Sequence, residues 1–120
     1  MNIIIKSPRQ ELGLTDRNLI EEKFSSLKKL TSNSSAAVQL ECEIEESIAV
    51  ERAGAKFRAE GNLTVDGKLY RAEALGTTLE GAVDKVRDEI TREFRRSREK
   101  ERGLLKRGGY AIKRMLRFGR

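Results

Sequence analysis

Two alternating segments meet at Asp66-Gly67 in the run FRAEGNLTVDGKLYRAE, residues 57–73. Asp-Gly between alternating apolar runs is a strong hairpin signal, because a type I′ turn needs positive φ at both central positions. A two-residue loop sets Val65 opposite Lys68, Leu63 opposite Tyr70, Gly61 opposite Ala72 and Ala59 opposite Ala74. Period two then gathers Phe57, Ala59, Leu63, Val65, Tyr70, Ala72 and Ala74 on one face. Arg58, Glu60, Asn62, Thr64, Arg71 and Glu73 take the wet face.

A helix follows. Thr77-Thr78-Leu79-Glu80 reads as a capping box, with Thr77 as the cap and Glu80 reaching back. Leu79, Ala82, Val83, Val86, Ile90 and Phe94 recur at three- and four-residue steps, one buried stripe. The stripe holds to Phe94 and the helix extends as far as Arg102; Gly103 is the first stop and Gly108-Gly109 the second.

Upstream, Ile3, Ile4 and Ile5 predict a first strand, and Pro8 and Gly13 punctuate the loop after it. Thr15 or Asp16 caps a helix with Leu19, Ile20, Phe24, Leu27 and Leu30 on one side. Residues 31–35 are a polar linker. Val38, Leu40, Cys42 and Ile44 alternate with Gln39, Glu41, Glu43 and Glu45, a second strand. Residues 47–54 read as a loop. The order is β-α-β-β-β-α: an α+β sandwich of a four-stranded sheet with two helices on one face, similar to a double-stranded-RNA-binding domain. Residues 1–102 form the domain and 103–120 a basic C-terminal tail, expected to be disordered in the free protein.

Charge sharpens that division. Of 120 residues, 25 are Lys or Arg and 19 Asp or Glu. Residues 95–120 hold 11 of the basic residues against Glu99 and Glu101; residues 1–94 hold 14 against 17 acidic ones. A slightly acidic domain with a strongly basic end points to a polyanion, most often nucleic acid. At 100° per residue, Lys85, Arg92 and Arg96 fall within roughly 40° of one another as a ridge off the buried stripe. Arg98 and Arg102 add charge on another side. The plainer account has Lys85 paired with Glu89, and Arg92 with Glu89 or Asp88.

Chemistry is poorly supported. There is no histidine. Cys42, the single cysteine, lies in phase with the core positions of its strand, so an inert buried thiol is expected. Glu41, Glu43 and Glu45 share a face and read as the wet side of an antiparallel strand rather than a cation site. Gly108-Gly109 lacks the strand-helix context of a phosphate loop. The open sheet face carries no aromatics, against a base-stacking platform. No run of 18 apolar residues and no signal peptide is visible, so a cytoplasmic protein is expected. No enzyme activity, cofactor, metal or small-molecule substrate is expected.

Phe57-Arg58-Ala59-Glu60-x-Asn62-Leu63, Asp66-Gly67-Lys68, Arg71-Ala72-Glu73-Ala74 and Ala82-Val83-Asp84 resemble the ribosome hibernation-promoting factor family, also called ribosome-associated translation inhibitors. Leu14-Thr15-Asp16 and Glu22-Lys23-Phe24 to Leu27 match its first helix, and the resemblance covers residues 1 to about 100. It implies the fold above, binding to the small ribosomal subunit in the mRNA and tRNA channel over the A and P sites, and idling of ribosomes under stress. It implies contacts to 16S rRNA from basic positions matched by Lys23, Arg92, Arg96 and Arg98. The chain looks like a short form, monomeric off the ribosome, with an unusual basic tail. The full candidate rRNA-binding set is Lys23, Lys28, Lys29, Lys85, Arg92, Arg95, Arg96, Arg98, Arg102, Lys106, Arg107, Lys113, Arg114 and Arg117. Tyr110 and Phe118 are candidates to stack on unpaired bases. Two alternatives stand beside this: a general double-stranded-RNA binder, and a membrane-surface adaptor. The second would use Ala111, Ile112, Met115 and Leu116 opposite Lys113, Arg114 and Arg117 as a basic amphipathic helix.

Overall fold

The hairpin turn forms as its residues require: Asp66 has φ 53° and Gly67 φ 77°. The computed structural model describes residues 1–8, 10–34 and 37–118, with 105–118 as backbone alone. Its elements are β1 (Asn2–Lys6), α1 (Leu14–Leu30), β2 (Val38–Glu45), α2 (Ile48–Arg52), β3 (Phe57–Val65), β4 (Lys68–Gly76) and α3 (Leu79–Phe118). The sheet runs β1-β2-β3-β4. β1 and β2 are parallel, which needs a crossover, and α1 supplies it. The other pairs are antiparallel, and the hairpin register is the one its two-residue loop dictates, with Gly61 opposite Ala72.

α1 and α3 cover one sheet face. Ile20, Phe24 and Leu27 from α1 meet Leu40, Cys42, Ile44 and Leu63 from the sheet and Val83, Val86 and Ile90 from α3 in one core. Every residue of the predicted α3 stripe from Leu79 to Phe94 is buried. Close approach is secured by two glycines. A Cβ on Gly61 would stand 2.7 Å from Val86 Cγ1, and one on Gly76 would stand 2.7 Å from the backbone nitrogen of Ala82. Their missing side chains let α3 lie directly on β3 and the end of β4.

Four local expectations are corrected. α1 begins at Leu14 with Gly13 as its N-cap and no side-chain cap, so Thr15 and Asp16 sit inside the first turn. The α3 cap is Thr78, one residue later than expected: its Oγ1 accepts from the Gly81 N–H at 2.9 Å. Glu80 does not close a capping box but turns to α1. The expected loop contains α2, a single turn capped by Ser47, whose Oγ accepts from the Val50 N–H at 3.3 Å. Five residues are too few to show a helical period.

The fourth correction concerns the helix end. α3 does not stop at Gly103 or at Gly108-Gly109 but continues to Phe118. An interior glycine costs a helix only about 1 kcal/mol relative to alanine. Gly103 is flanked by Glu101, Arg102, Leu104 and Leu105, all good helix formers apart from the glycine between them. The backbone expected to be disordered is therefore helical as far as Phe118.

Candidate nucleic-acid interface

The two broad surfaces of the domain differ in charge. On the open sheet face, Arg58 from β3 sits among carboxylates: Glu45 at 3.0 Å, Glu60 at 3.2 Å, Glu43 at 3.3 Å and Glu73 at 3.6 Å. Arg71 from β4 joins Glu60 at 2.8 Å. Burial alone pushes the Glu60 carboxyl up, but hydrogen bonds from Arg58 and Asn62 and the charges of Arg71 and Arg58 outweigh it and hold it below its ordinary value. Lys6 reaches Glu41 at 3.8 Å. The acidic row of β2 is thus spent on ion pairs within the sheet, and this face repels a polyanion.

The opposite character builds up along α3. Arg92 pairs with Glu89 at 2.7 Å and Arg96 with Glu93 at 3.2 Å, both one turn apart and both exposed. The predicted ridge therefore carries part of its own neutralisation. Lys85, at its start, donates to the Leu75 carbonyl at 2.8 Å instead of pairing with Glu89. Lys23 on α1 is committed to α3: its Nζ lies 2.9 Å from Glu80 and 3.3 Å from Asp84. The Glu80 hydrogen bond leads in raising its pKa above the ordinary lysine value. That ammonium clamps the two helices together.

Arg95, Arg98 and Arg102 come together on another side of α3, Arg98 and Arg102 as the spacing predicts and Arg95 beside them. A groove of about 460 Å³ runs between α3 and the end of α1, lined by Leu30, Asn33 and Ser34 on one side. Phe94, Arg95, Arg98, Glu99, Glu101 and Arg102 line the other. Arg98 is the fixed member: its guanidinium lies 5.0 Å over the Phe94 ring, and it reaches Asp66 of the hairpin turn and Ser34, each at 3.4 Å. Phe94 in turn meets Tyr70 edge-on at 5.4 Å. Arg95 and Arg102 are exposed and make no ion pair among the described residues. Arg95 also borders a second groove with Arg92, Arg96, Asp88, Thr91 and Glu99. Lys28 and Lys29 are exposed in the last turn of α1, on the same end of the domain.

The side chains of Lys106, Arg107, Tyr110, Lys113, Arg114, Arg117 and Phe118 lie outside the described residues; their backbone continues α3. From 95 to 118 that helix holds ten Lys or Arg against two Glu. Asn33 and Ser34 were missed as groove residues, since nothing in a polar linker reveals which helix it will face. Lys100, exposed on α3, was also passed over.

Cys42 is fully buried opposite Gly61, and burial pushes its thiol up to about 12. Among the described residues no helix is long and apolar enough to cross a membrane.

Comparisons with known proteins agree with this geometry. The family described as sigma 54 modulation protein / S30EA ribosomal protein matches residues 3–102. The Thermus thermophilus Protein Y N-terminal domain superposes with a TM-score of 0.65 at 22% identity, over 80% of this chain and 98% of that one. A ribosomal subunit interface protein from Coxiella burnetii superposes with a TM-score of 0.64 at 13% identity, over 82% of this chain and 99% of that one. At these identities the likeness speaks to the fold. The sequence comparison with curated proteins gives no match.

Proposed function

The chain belongs to the sigma 54 modulation protein / S30EA ribosomal protein family, that of the ribosome hibernation-promoting factors, and on that premise we propose that it is a ribosome-binding inhibitor of translation. It occupies the mRNA and tRNA channel of the small subunit, across the A and P sites, and idles the particle by excluding its ligands. Its partner surface is 16S rRNA. No bond is made or broken, so no cofactor or small-molecule substrate is called for.

The observation that carries this reading is the continuity of α3: the helix that the sheet holds by Val86 and Ile90 also bears the basic run from Arg95. Positive charge is therefore presented on a rigid element rather than on a loose tail, and the acidic sheet face turns the molecule one way. Guanidinium groups such as Arg95 and Arg102 bind phosphate with paired donors. They release condensed counterions as they do so, which makes binding steeply salt-dependent. The division into a domain over 1–102 and a basic extension over 103–120 follows the same logic, the first part docking and the second tracking rRNA.

The test is co-sedimentation with vacant small subunits in a low-salt sucrose gradient, followed by competition with initiator tRNA. Comigration with the subunit and loss of bound tRNA are expected. Protein left at the top of the gradient, with subunits in excess, overturns the proposal. Competitor duplex RNA that strips the protein from subunits would favour the general duplex-RNA reading instead.

A further inference from the structure

β4 is an edge strand of nine residues, unbroken by proline, and it leaves two large apolar side chains in water: Leu69 is 58% exposed and Leu75 36%. Such an edge is a template for another strand unless something blunts it. The chemistry of this edge says which strand.

A type I′ hairpin with a two-residue loop closes on a hydrogen-bonded pair, here Val65 and Lys68. Bonded and non-bonded pairs then alternate. Even-numbered β4 residues are thus tied to β3, and the N–H and C=O groups of Leu69, Arg71, Glu73 and Leu75 point out from the sheet. Two contacts agree. The Gly76 carbonyl accepts from the Lys56 N–H at 3.1 Å, toward β3, while the Leu75 carbonyl accepts from the Lys85 Nζ at 2.8 Å, on the outside.

The same four outward residues form a palindrome about Ala72: Leu69, Arg71, then Glu73, Leu75. We infer that β4 is a self-pairing edge, on which a second copy of this chain docks antiparallel about a twofold axis at Ala72 to make one eight-stranded sheet. In that register Arg71 faces Glu73 of the second copy and Leu69 faces its Leu75, each pair occurring twice. These are the residues whose backbone groups face away from β3, the Leu75 carbonyl being held by Lys85, so side-chain matching and backbone parity select the same register. On the helix side Ala72 meets its own copy, and Tyr70, packed against Phe94 in its own chain, meets the small Ala74.

The pairing also relieves a flaw inside the single chain. Glu73 lies directly opposite Glu60 in the β3–β4 register, a like-charge pair that costs stability. Arg58 and Arg71 both reach Glu60, whereas Glu73 is 51% exposed and has Arg58 at 3.6 Å. A second copy brings Arg71 beside that under-served carboxylate. Lys85, which now caps the Leu75 carbonyl, must swing away. This departs from the monomer expected from sequence.

A single strand pair buries little area, so a weak association is expected, filled only at high protein concentration. Sedimentation equilibrium over a concentration series should show mass rising toward twice the monomer. Over the same series the amides of Leu69, Arg71, Glu73 and Leu75 should gain hydrogen-exchange protection while those of Tyr70, Ala72 and Ala74 stay as they were. Arg71→Glu sets carboxylates against Glu73 of the other copy and should weaken association about tenfold or more. The swap Arg71→Glu with Glu73→Arg keeps the palindrome and should restore association. Because Glu60 of the same chain also touches position 71 and faces position 73, the thermal melt of the monomer is measured alongside, and association should follow the swap independently of that melt. Monomer at every concentration, unchanged odd-numbered amides, or a swap no better than Arg71→Glu overturns the inference.

Discussion

Gly61 and Val86 touch so closely that a single added carbon at Gly61 would lie 2.7 Å from Val86 Cγ1 and 2.9 Å from Ile90 Cδ1. Gly61→Ala should therefore destabilise by about 1–3 kcal/mol, the usual cost of overpacking a filled core. Gly76→Ala should cost at least as much, because the neighbour there is the Ala82 backbone, which cannot rotate aside. Chemical denaturation of both variants measures this; a neutral Gly61→Ala would mean that α3 sits farther from β3 than described.

Cys42 should resist thiol reagents in the native protein and react on unfolding. Its folded thiol titrates near 12 while an unfolded one titrates near 9. Folding energy from this site is then complete below pH about 9 and is lost as pH rises toward 12, since only the unfolded chain ionises easily. Cys42→Ala should flatten the alkaline limb of a stability–pH curve.

Glu60 gives the opposite limb. Its carboxyl is held below the ordinary value of 4.5, so its contribution is complete above that pH and is lost as pH falls through the lower folded value. Glu60→Gln should lower the melting temperature at neutral pH, with the gap to the parent closing in acid.

Arg95→Glu with Arg102→Glu should weaken ribosome binding more than Arg92→Glu with Arg96→Glu, because of these four, among the described residues, only Arg92 and Arg96 are held in ion pairs, with Glu89 and Glu93. Each lost phosphate contact should reduce the slope of log affinity against log salt by roughly 0.7–0.9. Filter binding to small subunits across a salt series reads both. Equal affinity in the first double variant would reduce the groove to solvated surface.

Truncation after Arg102 should flatten the salt dependence further, and it should also remove about a quarter of the helical signal in far-ultraviolet circular dichroism. An unchanged signal per molecule would mean that the segment is not helical in solution.

The hairpin and the α3 stripe were legible because each repeats a period several times over: Asp66-Gly67 fixes the register and six apolar positions from Leu79 to Phe94 fix one face. The cap was placed one residue early, at Thr77, because neighbouring threonines carry the same hydroxyl and local sequence does not separate them; Thr78 is the one that accepts from Gly81. The length of α3 was misjudged because glycine was treated as a stop when it is only a modest cost. The groove was invisible for a different reason. Arg98 takes its position from Phe94, Asp66 and Ser34, and Ser34 is 64 residues away in sequence.

The crossover through α1 has a consequence for the order of assembly. β3, β4 and α3 follow one another with short connections, so Leu63, Val65, Val83, Val86 and Ile90 can cluster at little entropic cost. β1 contributes only when its five residues find β2 across the whole of α1, a closure that comes late. Perturbations in Ile3 or Ile5 will then speed unfolding rather than slow folding. Strand β1, first in the chain, is the first part of the sheet to let go.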